Sequence, residues 1–230
     1  MEIKEMITSN EQDFRHLSQQ DIEKIHEVSR IRAYKKGQVL FHPGDDRTHL
    51  FFLKSGTIKI EKIDSTGSFF YLHFLKDKCL FPRDGLFKDD VYIYSAIAYT
   101  NIEIVAIPVK IFEEIISRNP QQLMEWIKIQ SEIVEKNIVK IQKSSTNNAH
   151  QRVITTLAIL YKDLGEYQEQ KDTSLISCPI TINDLSKASG TTRETTSSII
   201  KKLVKQKKIS YTHKHLTFLD IDFFNDVLTD

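Results

Sequence analysis

Long hydrophobic runs are missing from this chain of 230 residues, and nothing in it has the length of a membrane span. The Met1 end shows no basic-then-apolar leader, so a cytoplasmic location is expected. Cysteine is scarce. Cys79 and Cys178 stand far apart, which gives no disulfide framework, and two thiols cannot hold a four-cysteine iron–sulfur cluster. Internal repeats, low-complexity stretches, a nucleophile elbow and a phosphate loop are all lacking, and neither an enzyme nor a bound cofactor is expected. Charge of one sign is lacking too, since 32 basic residues face 31 acidic ones. The length suffices for two domains, each with its own core.

Against that neutral background one segment departs. From Lys187 to His215 the basic residues are Lys187, Arg193, Lys201, Lys202, Lys205, Lys207, Lys208 and Lys214, with Glu194 the sole acid. An ordinary solvated helix face mixes both signs. Here the basic charge is concentrated on two short helices joined at a glycine. Ile182, Leu185 and Ala188 lie three apart on the apolar side of the first. Gly190 supplies the positive φ of a sharp interhelical turn. Thr191 or Thr192 can cap the second helix, and Thr191-x-x-Glu194 has capping-box spacing. A buried stripe of Thr195, Ile199, Ile200 and Leu203 leaves Arg193, Glu194, Thr196, Ser197 and Lys201 outward. This is a helix-turn-helix with the charge that DNA phosphates require. Arg193 can pair with guanine O6 and N7, while Glu194 can accept from cytosine N4 or serve as a capping residue. The β-prone runs 208–212 and 216–219 bracket His213-Lys214-His215 as a hairpin, the wing of a winged helix. The His-x-His pair lacks further ligands, so phosphate-side polarity is preferred to a metal.

Upstream, short β-prone runs alternate with turns: 38–41, 50–53, 57–63, 69–75, 92–98 and 102–107. Glycine-bearing breaks separate them, as in a β-roll or barrel whose interior holds one small ligand or is filled by side chains. A long helix follows, with Asn119 at its N-cap and Pro120 at N1, uninterrupted to Ser144. Met124, Ile127, Ser131, Val134, Ile138 and Ile141 form a seam that suits the same helix of a second subunit. Leu123, Trp126 and Ile133 point elsewhere, toward the barrel. Residues 144–148 form a polar hinge, and Asn148 caps a helix running to Leu164.

Order and motifs together resemble the cyclic-AMP receptor and Fnr family of bacterial transcription regulators. The resemblance rests on Phe41-His42-Pro43-Gly44-Asp45, on Leu50–Gly56, on Asn119-Pro120, and on Gly190-Thr191-Thr192-Arg193-Glu194-Thr195. It implies an α+β chain with a cyclic-nucleotide-binding-like β-roll and N-terminal helix over 1–118. A dimerisation helix and hinge would occupy 119–147, and a winged helix-turn-helix 148–230. Arg193 and Glu194 would read bases, with Thr192, Ser197, Ser198, Lys201, Lys202 and Lys187 completing the DNA surface. Ser198 stands where the family usually has arginine. Dimerisation would use Ile127, Val134, Ile138 and Ile141. The implied partners are a two-fold symmetric DNA operator, a second copy of the chain, RNA polymerase and an effector of unknown chemistry, with no membrane.

The sensor departs from the cyclic-AMP pattern. Pro82-Arg83 replaces the family's Gly-Glu pair, Tyr94 stands in place of the phosphate arginine, and Asn137-Ile138 matches its adenine-contacting Thr-Ser pair. An anion buried without its arginine is costly, so cyclic AMP is not the expected effector. Arg83, Tyr94, Asn137 and Phe81 remain the candidate pocket residues. The Leu-Phe-Pro and Leu-Phe pattern near residue 80 and Phe224-Asn225-Asp226-Val227 resemble the arginine-deiminase-pathway regulators of Gram-positive bacteria. Two alternatives stay open. One is a nucleotide sensor whose winged helix mainly contacts protein. The other is a cupin-like metal enzyme using His42, His49 and His73, which lack the spacing of a facial triad.

Overall fold

A computed structural model describes residues 11–67, 70–76 and 78–229. The Met1 end, Phe69 of the expected strand and Asp230 lie outside the described residues. The chain divides into two compact units, one running through Lys59 with Leu75–Glu135, the other comprising Ile60–Phe74 and Lys136–Asp230. Among the described residues no helix is long and apolar enough to cross a membrane.

The first unit begins with helices α1 (Glu11–Phe14) and α2 (Gln19–Val28). Ser18 caps α2, and its side chain and that of Asp21 each accept the other's backbone N–H in a capping box. Eight strands follow in chain order, residues 60–74 of β4 and β5 grouping with the second unit: β1 (Arg30–Tyr34), β2 (Val39–Phe41), β3 (His49–Ser55), β4 (Thr57–Ile63), β5 (Phe70–Lys76), β6 (Cys79–Phe81), β7 (Ser95–Ala98) and β8 (Ile102–Pro108). They form two four-stranded sheets, ordered β1-β8-β3-β6 and β2-β7-β4-β5. Helices α3 (Val109–Ser117) and α4 (Pro120–Ser144) come next.

Strand β3 shows why this roll needs helices. Leu50, Phe51, Phe52 and Leu53 are all buried, so both faces of the strand are covered. Leu50 and Phe52 join Val105 and Ile107 in a core with Phe14, Ile25, Phe112, Ile116 and Trp126. Phe51, the alternate residue, meets an aromatic group instead. Its ring lies 5.8 Å from Phe41 and 5.6 Å from Phe81, and Phe41 stacks on Tyr92 at 3.8 Å. Trp126 of α4 also donates from Nε1 to the carbonyl of Asp13 at 3.3 Å.

The second unit holds α5 (Ala149–Leu164), β9 (Gly165–Gln168), β10 (Thr173–Ile176), α6 (Ile182–Ser189), α7 (Arg193–Lys205), β11 (Ile209–Thr212), β12 (His215–Phe218) and α8 (Ile221–Thr229). A sheet ordered β11-β12-β10-β9 closes it. Asn148 caps α5 as expected, accepting from the N–H groups of His150 and Gln151. Val153, Leu157, Ala158, Ile199, Ile200, Leu203, Phe218 and Phe224 are buried, with Phe218 packed edge-on against Phe224 and Tyr161. Residues 60–74 group with this unit. His73 Nδ1 lies 3.6 Å from Asp163, which also holds Lys140 at 3.0 Å, and the Phe70 ring sits 4.6 Å beneath Lys187 Nζ.

Several expectations need correction. The strand expected over 92–98 begins only at Ser95, while Tyr92 exchanges backbone hydrogen bonds with Gly44 and Asp45 and stacks on Phe41. Strands β1, β6, β9 and β10 lie outside the six expected runs. On α6 the buried residues are Asp184, Leu185, Ser186 and Ser189, while Ile182 and Ala188 are only half-buried. On α7 Thr196, not Thr195, is buried, since its hydroxyl bonds the Thr192 carbonyl and Thr191 rather than solvent.

Candidate nucleic-acid interface

The turn between α6 and α7 is built from short hydroxyl side chains. Thr181 caps α6 in a capping box with Asp184. Gly190 ends it at φ 58°, in the left-handed region that favours glycine. Thr192 then caps α7, accepting from the Thr195 N–H at 3.2 Å. The capping box expected between Thr191 and Glu194 does not form. The Thr191 hydroxyl is held by Ser189 at 2.8 Å and Thr196 at 2.7 Å, which leaves capping to its neighbour. Glu194 is exposed in the first turn, and bonds from its own backbone N–H and from Thr192 hold its carboxyl below the ordinary range. An ionised acceptor at the positive end of a helix is favourable there.

Burial of Thr196, Ile199, Ile200 and Leu203 turns the opposite side of α7 outward. Arg193, Glu194, Ser198, Lys201 and Lys202 are exposed, Thr192 is exposed at the cap, and Ser197 is half-buried. Residues 193, 194, 197, 198 and 201 follow helical spacing along one face. Lys187 stands apart from this row, half-buried over the Phe70 ring. The wing is a two-residue hairpin in which His213 (φ 51°) and Lys214 (φ 70°) both adopt left-handed conformations. Tyr211 anchors it by donating to the Ile180 carbonyl at 2.8 Å. Such a helix can lie in a major groove with cationic side chains at its flanks.

The candidate sensor residues separate. Phe81 is buried in the aromatic group, and Tyr94 donates to Asp84 Oδ1 at 2.7 Å. The Arg83 guanidinium pairs with fully buried Asp13 at 2.6 Å, and its carbonyl accepts from Gln130 Nε2. Asn137 is exposed on α4. A cavity of about 10 Å³ lies among Arg47, Pro82, Asp84, Asp89 and Tyr92–Tyr94. That volume admits about one water molecule. Arg47 is buried, donates to the Pro82 carbonyl at 3.1 Å, and keeps an Nε with no hydrogen-bond partner among the described residues. Asp84 and Asp89 line the same small space beside it. A larger open groove of about 580 Å³ lies between residues 83–87, Arg83 included, and α4. Among the described residues no cluster of three or more His, Cys, Asp or Glu could hold a metal.

Sequence reasoning missed Arg152 altogether. From α5 it donates to the carbonyls of Thr146, Ser189 and Gly190. The one available signal was a cation in the first turn of a helix, where the dipole disfavours it.

Comparison with known proteins agrees with this architecture. Residues 31–119 match the cyclic nucleotide-binding domain family, and residues 151–226 match the Crp-like helix-turn-helix domain. The HTH-type transcriptional regulator ArcR of Staphylococcus epidermidis is 30% identical over 181 residues, covering 77% of this chain and 76% of its own. The global nitrogen regulator of Nostoc is 24% identical over 190 residues, covering 81% and 84%. Among solved structures, FixK2 of Bradyrhizobium japonicum superimposes with a TM-score of 0.73 at 15% identity, covering 87% of this chain and 97% of its own. A CRP/FNR-family transcriptional regulator from Thermus thermophilus does so at 0.66 and 20% identity, covering 87% and 99%. With both domains matched in order and a relative at this identity across three quarters of its length, the chain belongs to the Crp/Fnr family of transcription regulators.

Proposed function

We propose that this regulator acts as a homodimer that reads a two-fold symmetric operator with the exposed face of α7, in the cytoplasm and without cyclic AMP as its effector. The observation that carries the reading is the row Arg193, Glu194, Ser197, Ser198 and Lys201, turned outward by burial of the opposite side. Arg193 supplies the bidentate donor that guanine accepts, and Glu194 an ionised acceptor for cytosine N4. Lys202 stands farther along the helix and serves a phosphate. Half-buried Lys187 contributes less, because its ammonium is engaged by Phe70.

Support for dimerisation comes from α4. Ile127, Val134, Ile138 and Ile141 are 51%, 56%, 59% and 66% exposed, a continuous apolar row at coiled-coil spacing. Such a row on an isolated chain calls for a partner. A second copy, bringing a second recognition helix, meets that need most simply. For the sensor, the stacked Phe41, Tyr92, Phe51 and Phe81 rings favour a roll closed to nucleotides. Control of arginine catabolism, engaging RNA polymerase at the regulated promoters, fits the likeness to ArcR together with the Leu80-Phe81-Pro82 and Leu86-Phe87 pattern.

Arg193→Ala and Lys202→Ala are expected to fail differently. Losing Arg193 should cost about 1–3 kcal/mol on the selected operator and relax preference at one base pair. Losing Lys202 should weaken all sequences alike and flatten the salt dependence. Gel shifts on operator and random duplexes decide this, and equal weakening of both by Arg193→Ala removes the base-reading role. Ile138→Glu should give monomers in sedimentation and abolish operator binding with the fold retained, because unpaired buried charge costs several kcal/mol. A dimer that persists would move the interface elsewhere. Titration calorimetry with cyclic AMP should show no binding at micromolar concentration. Micromolar affinity coupled to a tenfold gain on operator DNA, about 1.4 kcal/mol, would contradict the closed roll.

A further inference from the structure

We propose that Arg152 is the positioning residue of the DNA-reading module, a clamp that sets the recognition helix by holding the turn before it. The proposal rests on the reading of α7 as the helix that contacts DNA.

Arg152 lies in the first turn of α5, where the helix's own positive end opposes a cation. The capping there is already done by Asn148. Its guanidinium turns away toward three carbonyl oxygens. Nη1 donates to Thr146 at 2.8 Å, Nε to Ser189 at 3.0 Å and Nη2 to Gly190 at 3.1 Å. Ser189 and Gly190 end α6, so their carbonyls carry the partial negative charge of a helix C-terminus. A planar fork of fixed donors reaches three carbonyls in set directions, a geometry that a compact ammonium on a flexible stem does not hold.

Two consequences follow from which carbonyls are held. The Ser189–Gly190 turn leads directly into α7, and its hydroxyl chain carries its position onward. Ser189 bonds Thr191 at 2.8 Å, Thr191 bonds Thr196 at 2.7 Å, and Thr192 caps the helix that starts at Arg193. A turn released from Arg152 would let the first turn of α7 shift, and base contacts tolerate displacements of only about 0.5 Å. Thr146 belongs to the segment between α4 and α5, and just before it the Lys143 carbonyl in the last turn of α4 accepts from Thr155 Oγ1. One guanidinium therefore ties that segment to the turn, and movement of one is transmitted to the other. Arg152 acts through backbone carbonyls and does not itself meet DNA.

The test compares Arg152→Met and Arg152→Gln with the wild-type full-length protein, on a duplex that wild type selects from a random library and on an unselected duplex. The selected duplex should lose roughly tenfold or more in affinity, the scale of one good base contact. The unselected duplex should keep its affinity and its salt slope, because no phosphate contact is removed. Amide exchange at Thr191–Glu194 should accelerate without DNA present. Arg152→Lys should recover only part of the specificity. If thermal melts show that Arg152→Met does not fold, Arg152→Gln, which keeps two N–H donors without charge, carries the comparison. Undiminished selectivity, or equal loss on both duplexes with a shallower salt slope, would overturn the clamp. If wild type selects no sequence, the DNA-reading role of α7 fails, and unchanged amide exchange in the variants is then what overturns the clamp.

Discussion

Burial of Thr196, Ile199, Ile200 and Leu203 along one side of α7 is the constraint on which the rest of the DNA-binding unit depends. Burying such side chains is worth about 1.5–3 kcal/mol each for the aliphatic ones, more than any surface ion pair offers. Once that face is fixed, helical geometry alone dictates that Arg193, Glu194, Ser198 and Lys201 point outward. Polar groups then refine what burial has set. The Thr196 hydroxyl is fully buried and satisfied by Thr191 and the Thr192 carbonyl, so it stabilises a single rotation of the helix. Arg152 and Gly190 hold the preceding turn.

The sensor unit is governed by a different economy of space. Strand β3 contributes to two interiors at once, with Leu50 and Phe52 facing helices and Phe51 facing aromatic rings. Residue types decide what the roll can hold. Phe41, Tyr92 and Phe81 pack with Phe51, and a cavity of about 10 Å³ lies beside Tyr92. Arg47, Asp84 and Asp89 surround that space with both signs of charge. A ligand shifts an equilibrium only by binding one state better than another, and the proposal that cyclic AMP is not the effector rests on the roll offering it no such difference.

Much of the architecture was legible because its signals are local. Pro120 at N1 and the unbroken run after it gave α4 its observed bounds, Pro120–Ser144. The wing could be read from β-prone runs even though its turn uses His213 and Lys214, not glycine. Other features turn on tertiary contacts that periodicity does not encode. Four nearby hydroxyls, Thr191, Thr192, Thr195 and Thr196, could each cap or be buried. Ser189 decides between them by engaging Thr191. The β9–β10 hairpin is formed by polar residues such as Glu166 and Gln168, which carry little strand signal. Arg83 could meet an anionic effector or form an ion pair, and no periodicity pointed to its partner, buried Asp13, seventy positions earlier in the chain. Arg152 was invisible for the same reason, since its partners are backbone carbonyls in other segments.

The central claim is that two recognition helices, brought together by α4, read one symmetric site. Hydroxyl-radical footprinting of the wild-type protein on its selected operator tests it most directly. The account predicts two protected half-sites on one face of the duplex, with centres about 34 Å apart, so that both helices enter successive major grooves. A single protected half-site bound by one chain would contradict it.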